Sequence, residues 1–258
     1  VAATTLNVFQ HTAEQQLKLL VDVSLGAMSL FASLFAIAAT AMLIPRDLED
    51  RTLYTILAKP VPRYDYLVGK LVGVLLVIAL SLVAMDLVFS VVLYLRQEAL
   101  IGNEMAAFGD SPELGQQDIA RFRERLEARG WRWDIQNAVL AIFFKACVVA
   151  GATLLISSVA TSSLFTIMVS LVIFFIGHIQ AMAREYWLHA LEQGVFTKLL
   201  VGVVALVFPD FQMFNIVDGV VAGETIPLAA MLRLGGLTGM YLAIYTLVAY
   251  LVFSEREL

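Results

Sequence analysis

Few residues of this chain have the types and spacings that catalysis requires. No H-E-x-x-H or G-x-S-x-G sequence occurs, so the signatures of zinc proteases and serine hydrolases are absent. A phosphate-binding loop needs Ser or Thr after its Gly-Lys pair, but Leu71 follows Gly69-Lys70. His178 has no second histidine within a helical turn, which argues against a metal site there. We therefore expect neither a catalytic residue nor a bound metal in this chain.

The composition indicates a membrane protein. Of the 258 residues, 60% are hydrophobic and only 15% are charged, and the mean hydropathy is +0.83. Soluble domains carry roughly 25% charged residues, so this much apolar surface is not expected to be hidden from water. The net charge of −5 argues against nucleic acid as a partner, and the single cysteine excludes an internal disulfide.

Five apolar runs are long enough to cross a bilayer core about 30 Å thick. They cover residues 23–44, 67–95, 138–160, 164–182 and 228–253. Residues 199–208 form an apolar run too short to cross, so the region 195–226 is predicted to be re-entrant and buried against protein. Between the second and third spans, residues 96–137 form a hydrophilic loop with a helix predicted over 112–129.

Two charged residues lie inside the predicted spans, at matching depths. Asp86 is about 15 Å from the loop end of its span and Lys145 about 12 Å from the same side, at 1.5 Å per residue. Ionisable groups in the hydrocarbon usually face the protein interior. Three interpretations stay open: an Asp86–Lys145 pair that joins two spans, a role of both residues in a substrate path, or a Lys145 side chain that extends towards the membrane surface.

Residues 47–58 are predicted to form a short amphipathic helix. Acidic residues crowd its first turn, Lys59 follows its end and Pro60 stops it, so both ends suit the helix dipole. Leu53 and Leu57 belong to its apolar face. Such a helix either turns the chain around at the membrane surface or docks another protein. Counting Lys and Arg in the loops leaves the orientation in the membrane open.

This segment resembles the ABC-2 class of ABC-transporter permeases. The features that carry the resemblance are the acidic start, the pair Thr52-Leu53, a Leu-rich helix, Lys59-Pro60-Val61 with Arg63, and Gly69-Lys70 at the entry to a span. It is most similar to the subgroup of multicopper-enzyme maturation permeases, such as those serving nitrous-oxide reductase assembly. Arg51 is a departure, because many members carry Gly there. The layout agrees over nearly the whole chain.

The resemblance implies the fold and the topology. We expect an all-α polytopic membrane protein, a single permease domain over residues 1–258 of the type V exporter kind, in the bacterial inner (plasma) membrane. The family has six spans with both termini in the cytoplasm, so the first span is expected upstream of Val1. The helix 47–58 then lies in the cytoplasm, and the loop 96–137 and the re-entrant region 195–226 lie outside.

The resemblance also implies a permease subunit that catalyses nothing itself. ATP and Mg²⁺ are expected on a cytoplasmic ABC ATPase, present in two copies, together with a second permease subunit, identical or different. The helix 47–58 would couple the ATPase to the spans. Its coupling residues would be Glu49, Asp50, Arg51 and Arg63 for polar contacts, Leu53, Tyr54 and Leu57 as the apolar anchor, and Lys59 and Pro60 at the helix end. Export of a substrate and force transfer to an extracytoplasmic partner are both compatible with this assignment.

Two other classes of function remain as alternatives. One is an intramembrane enzyme, since residues 218–222 begin like the motif of CDP-alcohol phosphotransferases; the Arg and the later aspartates of that motif are missing. The other is a structural membrane protein that transports nothing. A soluble ATPase that co-purifies with the chain distinguishes the permease from both.

Overall fold

The protein is all-helical in its described part. The computed structural model describes residues 2–49, 62–108, 132–190, 208–222 and 224–255, with side chains described for 15–47, 62–102, 132–180, 208–222 and 224–255. Every regular element in those ranges is a helix. The predicted fold class is therefore confirmed. The predicted helix 112–129 and the first part of the predicted re-entrant region, residues 195–207, lie outside the described residues.

Seven α-helices and one 3₁₀ turn make up the described chain. In order they are α1 (Ala2–Ala41), α2 (Leu43–Glu49), α3 (Arg63–Phe108), α4 (Trp133–Val159), α5 (Ser163–Ala190), the 3₁₀ turn (Phe211–Phe214), α6 (Val217–Ala222) and α7 (Leu228–Glu255). Five stretches among the described residues are long and apolar enough to cross a membrane: Gln15–Asp47, Arg63–Gly102, Trp133–Val159, Ser163–Gln180 and Leu228–Glu255. These long helices satisfy their own backbone groups, as the hydrocarbon requires.

The break between α1 and α2 has a local cause. Pro45 has no N–H to donate to the carbonyl of Ala41, four residues earlier, and its ring crowds that carbonyl. The chain turns at Met42 and resumes as α2, where the N–H of Arg46 bonds the carbonyl of Met42 at 3.4 Å. The helix that carries Asp47 therefore begins at Leu43, earlier than the predicted start of the 47–58 helix.

The helices around the predicted hydrophilic loop are longer than the sequence suggested. The loop was expected from residue 96, but α3 continues to Phe108. Charged residues such as Arg96 and Glu98 end the apolar run without breaking a helix, and no proline occurs between Pro62 and Pro112. At the other predicted turn, the helix breaks between Val159 and Ser163. There the carbonyl of Ser162 accepts both the N–H and the hydroxyl of Thr166, each at 3.1 Å.

The chain divides into two compact units. The first comprises Val1–Met28, Leu82–Leu140 and Ile216–Pro227. In it, the side chain of Arg132 donates to the carbonyl of Val220 at 3.0 Å, and Asp134 accepts from the N–H of Ile226 at 3.3 Å. These bonds fix α6 and the residues after it against the start of α4.

The second unit comprises Ser29–Ser81, Ala141–Asn215 and Leu228–Leu258. Its part of α4 is rich in small buried residues, and α4 is the most buried of the five spans. A Cβ added at Gly151 of α4 would lie 3.0 Å from Leu242 and 3.3 Å from Tyr245, so α7 approaches α4 closely there. Small residues at helix contacts permit this approach in a membrane.

The 3₁₀ turn packs against α5 at a glycine. Asp210 caps the turn by accepting the N–H of Gln212 at 2.9 Å, and Phe211 is buried. A Cβ added at Gly177 of α5 would lie 2.5 Å from the ring of Phe211 and 2.7 Å from the carbonyl oxygen of Pro209. Only glycine fits there without a shift of the backbone.

Gly177→Ala is therefore expected to destabilise the protein by about 1–3 kcal/mol, the usual cost of overpacking. This lowers the midpoint of thermal unfolding in detergent by roughly 2–10 °C. Gly236→Ala in α7 is the matched control, because nothing lies within 4 Å of its added Cβ; its midpoint should stay or rise. Equal midpoints for the two variants would show that the turn does not pack on α5 as described.

Candidate functional site

One group of polar side chains lies where α2 ends and α3 begins, on either side of residues 50–61. Asp47, in α2, accepts hydrogen bonds from the Nζ of Lys70 and from the hydroxyl of Tyr66. Lys70 donates a further bond of 3.1 Å to the carbonyl oxygen of Leu43. Tyr66 and Lys70 stand four residues apart and so share one face of α3. These bonds attach α2 to the first turns of α3.

The beginning of α3 is also attached to the end of α7. The Nη1 of Arg63 donates to the carbonyl oxygens of Ser254, at 2.8 Å, and Phe253, at 3.4 Å. The last carbonyls of a helix have no partner within the helix, and a cation is stabilised by the dipole at that end. Arg63 satisfies both needs for α7.

Aromatic contacts reinforce the same junction. The rings of Tyr66 and Phe253 stack with centroids 6.0 Å apart and planes 17° apart. Tyr64 meets Tyr250 edge to face, with centroids 5.7 Å apart and planes 88° apart. The Nζ of Lys70 lies 5.3 Å from the centroid of the Tyr66 ring. Such pairs add about 0.5–1.5 kcal/mol each beyond their buried area.

We call Asp47, Arg63, Tyr66, Lys70 and Ser254 the helix-end cluster. Its ion pair is partly shielded from water, since the side chains of Lys70 and Asp47 are 28% and 17% exposed. Charges so placed interact more strongly than the exposed pairs of a protein surface. The cluster therefore holds three helix ends together and fixes the residues on both sides of 50–61.

Of the predicted coupling residues, the side chain of Arg63 alone is described. Glu49 belongs to α2, but its side chain lies outside the described residues. The other predicted residues also lie outside them: Asp50, Arg51, Leu53, Tyr54, Leu57, Lys59 and Pro60. Sequence reasoning did not find the bonds of Asp47 to Lys70 and Tyr66. The signal available was an acid before the segment and a base after it.

A second polar cluster lies within the spans, around Lys145. This side chain is 8% exposed. Its Nζ lies 3.2 Å from the Oγ of Ser29, 3.0 Å from the Nε2 of His178 and 5.7 Å from the centroid of the Phe174 ring. Lys145 therefore connects α4 to α5 and to Ser29, the residue of α1 at which the second unit begins.

The contacts of His178 indicate its proton arrangement. Its Nδ1 lies 2.9 Å from the carbonyl oxygen of Phe174. A carbonyl oxygen can only accept, so Nδ1 carries the hydrogen. In a neutral ring the Nε2 is then an acceptor, and it receives a hydrogen bond from the ammonium of Lys145. His178 is thus a hydrogen-bonded interior residue. In the described part of the chain, no group of three or more His, Cys, Asp or Glu side chains is placed to hold a metal ion.

Asp86 is hydrogen-bonded within the first unit. Its Oδ1 accepts from the Nε2 of Gln136 at 3.3 Å, in the first unit. The hydrogen bonds described here thus give Asp86 and Lys145 separate partners, each within its own unit. The Asp86–Lys145 pair stays a prediction.

Comparison with known families agrees with this architecture. The family described as ABC-2 family transporter protein matches residues 2–258. The chain belongs to the ABC-2 transporter family. It is therefore a multi-pass membrane protein and the membrane subunit of an ABC transporter. No curated protein matches the chain. The match is to the family as a whole, so the predicted subgroup of multicopper-enzyme maturation permeases stays a prediction.

The bonds in the helix-end cluster can be measured by a double-mutant cycle. Asp47→Asn or Lys70→Met alone leaves the other charge unpaired and should cost about 1–3 kcal/mol of unfolding free energy. The double variant should lose less than the sum, with an interaction energy of about 0.5–3 kcal/mol. Unfolding of the ABC-2 chain in detergent is the measurement.

The control is Asp65→Asn, which removes an exposed acid from the first turn of α3, beside Tyr66 in the sequence. It should change the unfolding free energy by less than about 1 kcal/mol, the contribution of one acid at a helix N-terminus. Strict additivity of the two single variants would contradict the ion pair.

Proposed function

We propose that this chain is the permease through which a separate cytoplasmic ATPase moves the membrane spans, with residues 50–61 at the docking point. The observation that carries the proposal is the helix-end cluster, which ties α2, α3 and α7 together around that segment. A docking segment can move spans only if its two ends are fixed to them. The ATPase would bind ATP and Mg²⁺, and this chain would bind neither.

Each predicted coupling residue has a role in this proposal. Glu49, Asp50 and Arg51 offer charges for polar contacts at the start of the segment. Leu53, Tyr54 and Leu57 recur at helical spacing and provide the apolar anchor, and they are joined in the segment by Lys59 and Pro60 at its end. Arg63 then passes the displacement to α7 through its bonds to the last carbonyls.

A displacement of the docking segment would be transmitted and not absorbed locally. Packed helices switch between discrete arrangements because close-packed interiors do not deform continuously. The ion pair of Asp47 and Lys70 and the stack of Tyr66 on Phe253 make this junction a packed one. Closure of the ATPase subunits is the step that would drive the switch.

The complete transporter would contain two ATPase copies and a second permease subunit, in the bacterial inner membrane. Each described span keeps large exposed apolar side chains, for example Leu80 in α3 and Phe165 in α5. Such surface suits lipid and a second subunit alike. The cargo would be exported, or the motion would act on an extracytoplasmic partner, as in the maturation permeases that the sequence resembles.

The orientation can be tested by labelling both ends of α7 in a Cys147→Ser background. Thr225 precedes α7 and Glu255 ends it, and both are exposed. With residues 50–61 in the cytoplasm, Thr225→Cys should react with a membrane-impermeant maleimide in intact cells. Glu255→Cys should react only after the membrane is opened. The opposite pattern would place the helix-end cluster outside the cell and reject the proposal.

The docking face can be tested by a single charge. Leu57→Asp would place an unpaired carboxylate in an apolar contact, which costs more than the 1.4 kcal/mol that corresponds to tenfold in affinity. We therefore expect ATP turnover by the co-purifying ATPase, and its retention on the permease, to fall about tenfold or more. Yield and elution volume of the permease should not change.

Leu57→Met is the matched control and should retain the coupling, because it keeps an apolar side chain of similar volume. Wild-type ATPase binding and turnover with Leu57→Asp would remove the segment from the interface. Leu53→Asp, on the same predicted face, repeats the test at a second position.

A further inference from the structure

A groove of two adjoining cavities lies between α1 and α3 within the first unit. It consists of two cavities of about 530 Å³ and 510 Å³, both lined by Ser24. Each volume is within the range of roughly 300–1,000 Å³ that small-molecule sites occupy. All residues that line the two cavities belong to the first unit.

The two halves of the groove differ in chemistry. The first has a polar mouth, where Arg96 of α3 stands with Gln16 of α1. The second is apolar and is lined by small and flexible side chains, among them Ala27, Met85 and Val88. No acidic residue lines either cavity in the described part of the chain. A ligand that matches the groove has one negative charge at one end and a hydrocarbon chain at the other.

The length of the groove matches one leaflet of a membrane. The lining covers 12 residue-to-residue steps on α1, from Gln16 to Met28, and 16 steps on α3, from Leu100 to Ala84, in the opposite chain direction. At 1.5 Å per residue this is about 18–24 Å. A leaflet contributes about half of the roughly 30 Å hydrocarbon core, and the headgroup adds to that depth.

We propose that this groove is a binding site for an anionic phospholipid of the leaflet at the Arg96 end of α3. The phosphate contacts the guanidinium of Arg96, with the amide of Gln16 as a further donor. One acyl chain follows the apolar half past Ala27 and Val88. Arginine is suited to this task because its fixed donors match phosphate oxygens.

An apolar helix from another chain fits the same groove less well. It would have to bring an acid of its own to the mouth, whereas an anionic lipid carries its charge next to its hydrocarbon chain. The exposed side chains of Leu19, Val88 and Val92, which line the groove, also open it towards the lipid. The site requires neither the ATPase nor transport, so it stands apart from the proposed function.

The test is native mass spectrometry of the full chain with dioleoyl phosphatidylglycerol or dioleoyl phosphatidylcholine. We expect phosphatidylglycerol to bind about fivefold more tightly, as one arginine near the headgroups provides. Arg96→Gln should remove this preference and Arg96→Lys should retain part of it. Ala27→Trp should weaken both lipids, because it fills the apolar half.

Lys18→Gln is the matched control, since Lys18 is an exposed base on α1 that lines neither cavity. It should leave the preference unchanged. An equal effect of Lys18→Gln and Arg96→Gln would show attraction by overall charge and overturn the site. A disulfide between two copies of the chain that carry Ala27→Cys would also overturn the site, because it would show that the groove is a contact between copies.

Discussion

A polar group in the hydrocarbon costs several kcal/mol unless it finds a partner inside the protein, and this constraint shapes the described helices. The backbone meets it by forming helices. Many hydroxyl groups meet it in the same way, by bonding the carbonyl one turn earlier on their own helix. Seven such bonds, to a carbonyl three or four residues earlier, occur among the described residues: Ser33 to Ser29, Ser81 to Val77, Thr153 to Val149, Ser158 to Leu155, Thr166 to Ser162, Thr238 to Leu234, and Ser254 to Leu251. Such residues add polarity to a span without committing it to any neighbour.

Charged and amide side chains are different, because no backbone group of their own helix satisfies them. Lys145 reaches Ser29 and His178, and Asp86 accepts from Gln136, so each fixes the relation between helices within its own unit. The same holds for Arg63, whose partners are the carbonyls at the end of α7. These contacts specify which helices meet, whereas the apolar surface around them only specifies that helices meet.

The division between what the sequence predicted and what it did not follows from this difference. Five spans and the break before Ser163 are properties of local composition, so hydropathy and turn residues were sufficient. The partners of Lys145 were not predictable, because depth along a helix says nothing about the direction in which a side chain points. The position at which α3 ends was predicted too early, because charged residues such as Arg96 end the apolar run but do not end the helix. The hydrogen bond that Lys70 donates to Asp47 joins residues on opposite sides of 50–61 in the sequence. It therefore depends on a tertiary contact that no local sequence pattern indicates.

Within the second unit, a series of contacts connects the helix-end cluster to the core of that unit. Arg63 holds the end of α7. About three to four turns before that end, Tyr241 and Tyr245 stack on each other, and Tyr245 contacts the site of Gly151 in α4. From α4, Lys145 leads to His178 of α5, whose ring lies 5.6 Å from that of Phe211. Each step is a close contact at a glycine, a hydrogen bond or a ring contact, with little free space to absorb a displacement. Under the proposed function, a force on the chain beside Arg63 would have this packed route into α4 and α5.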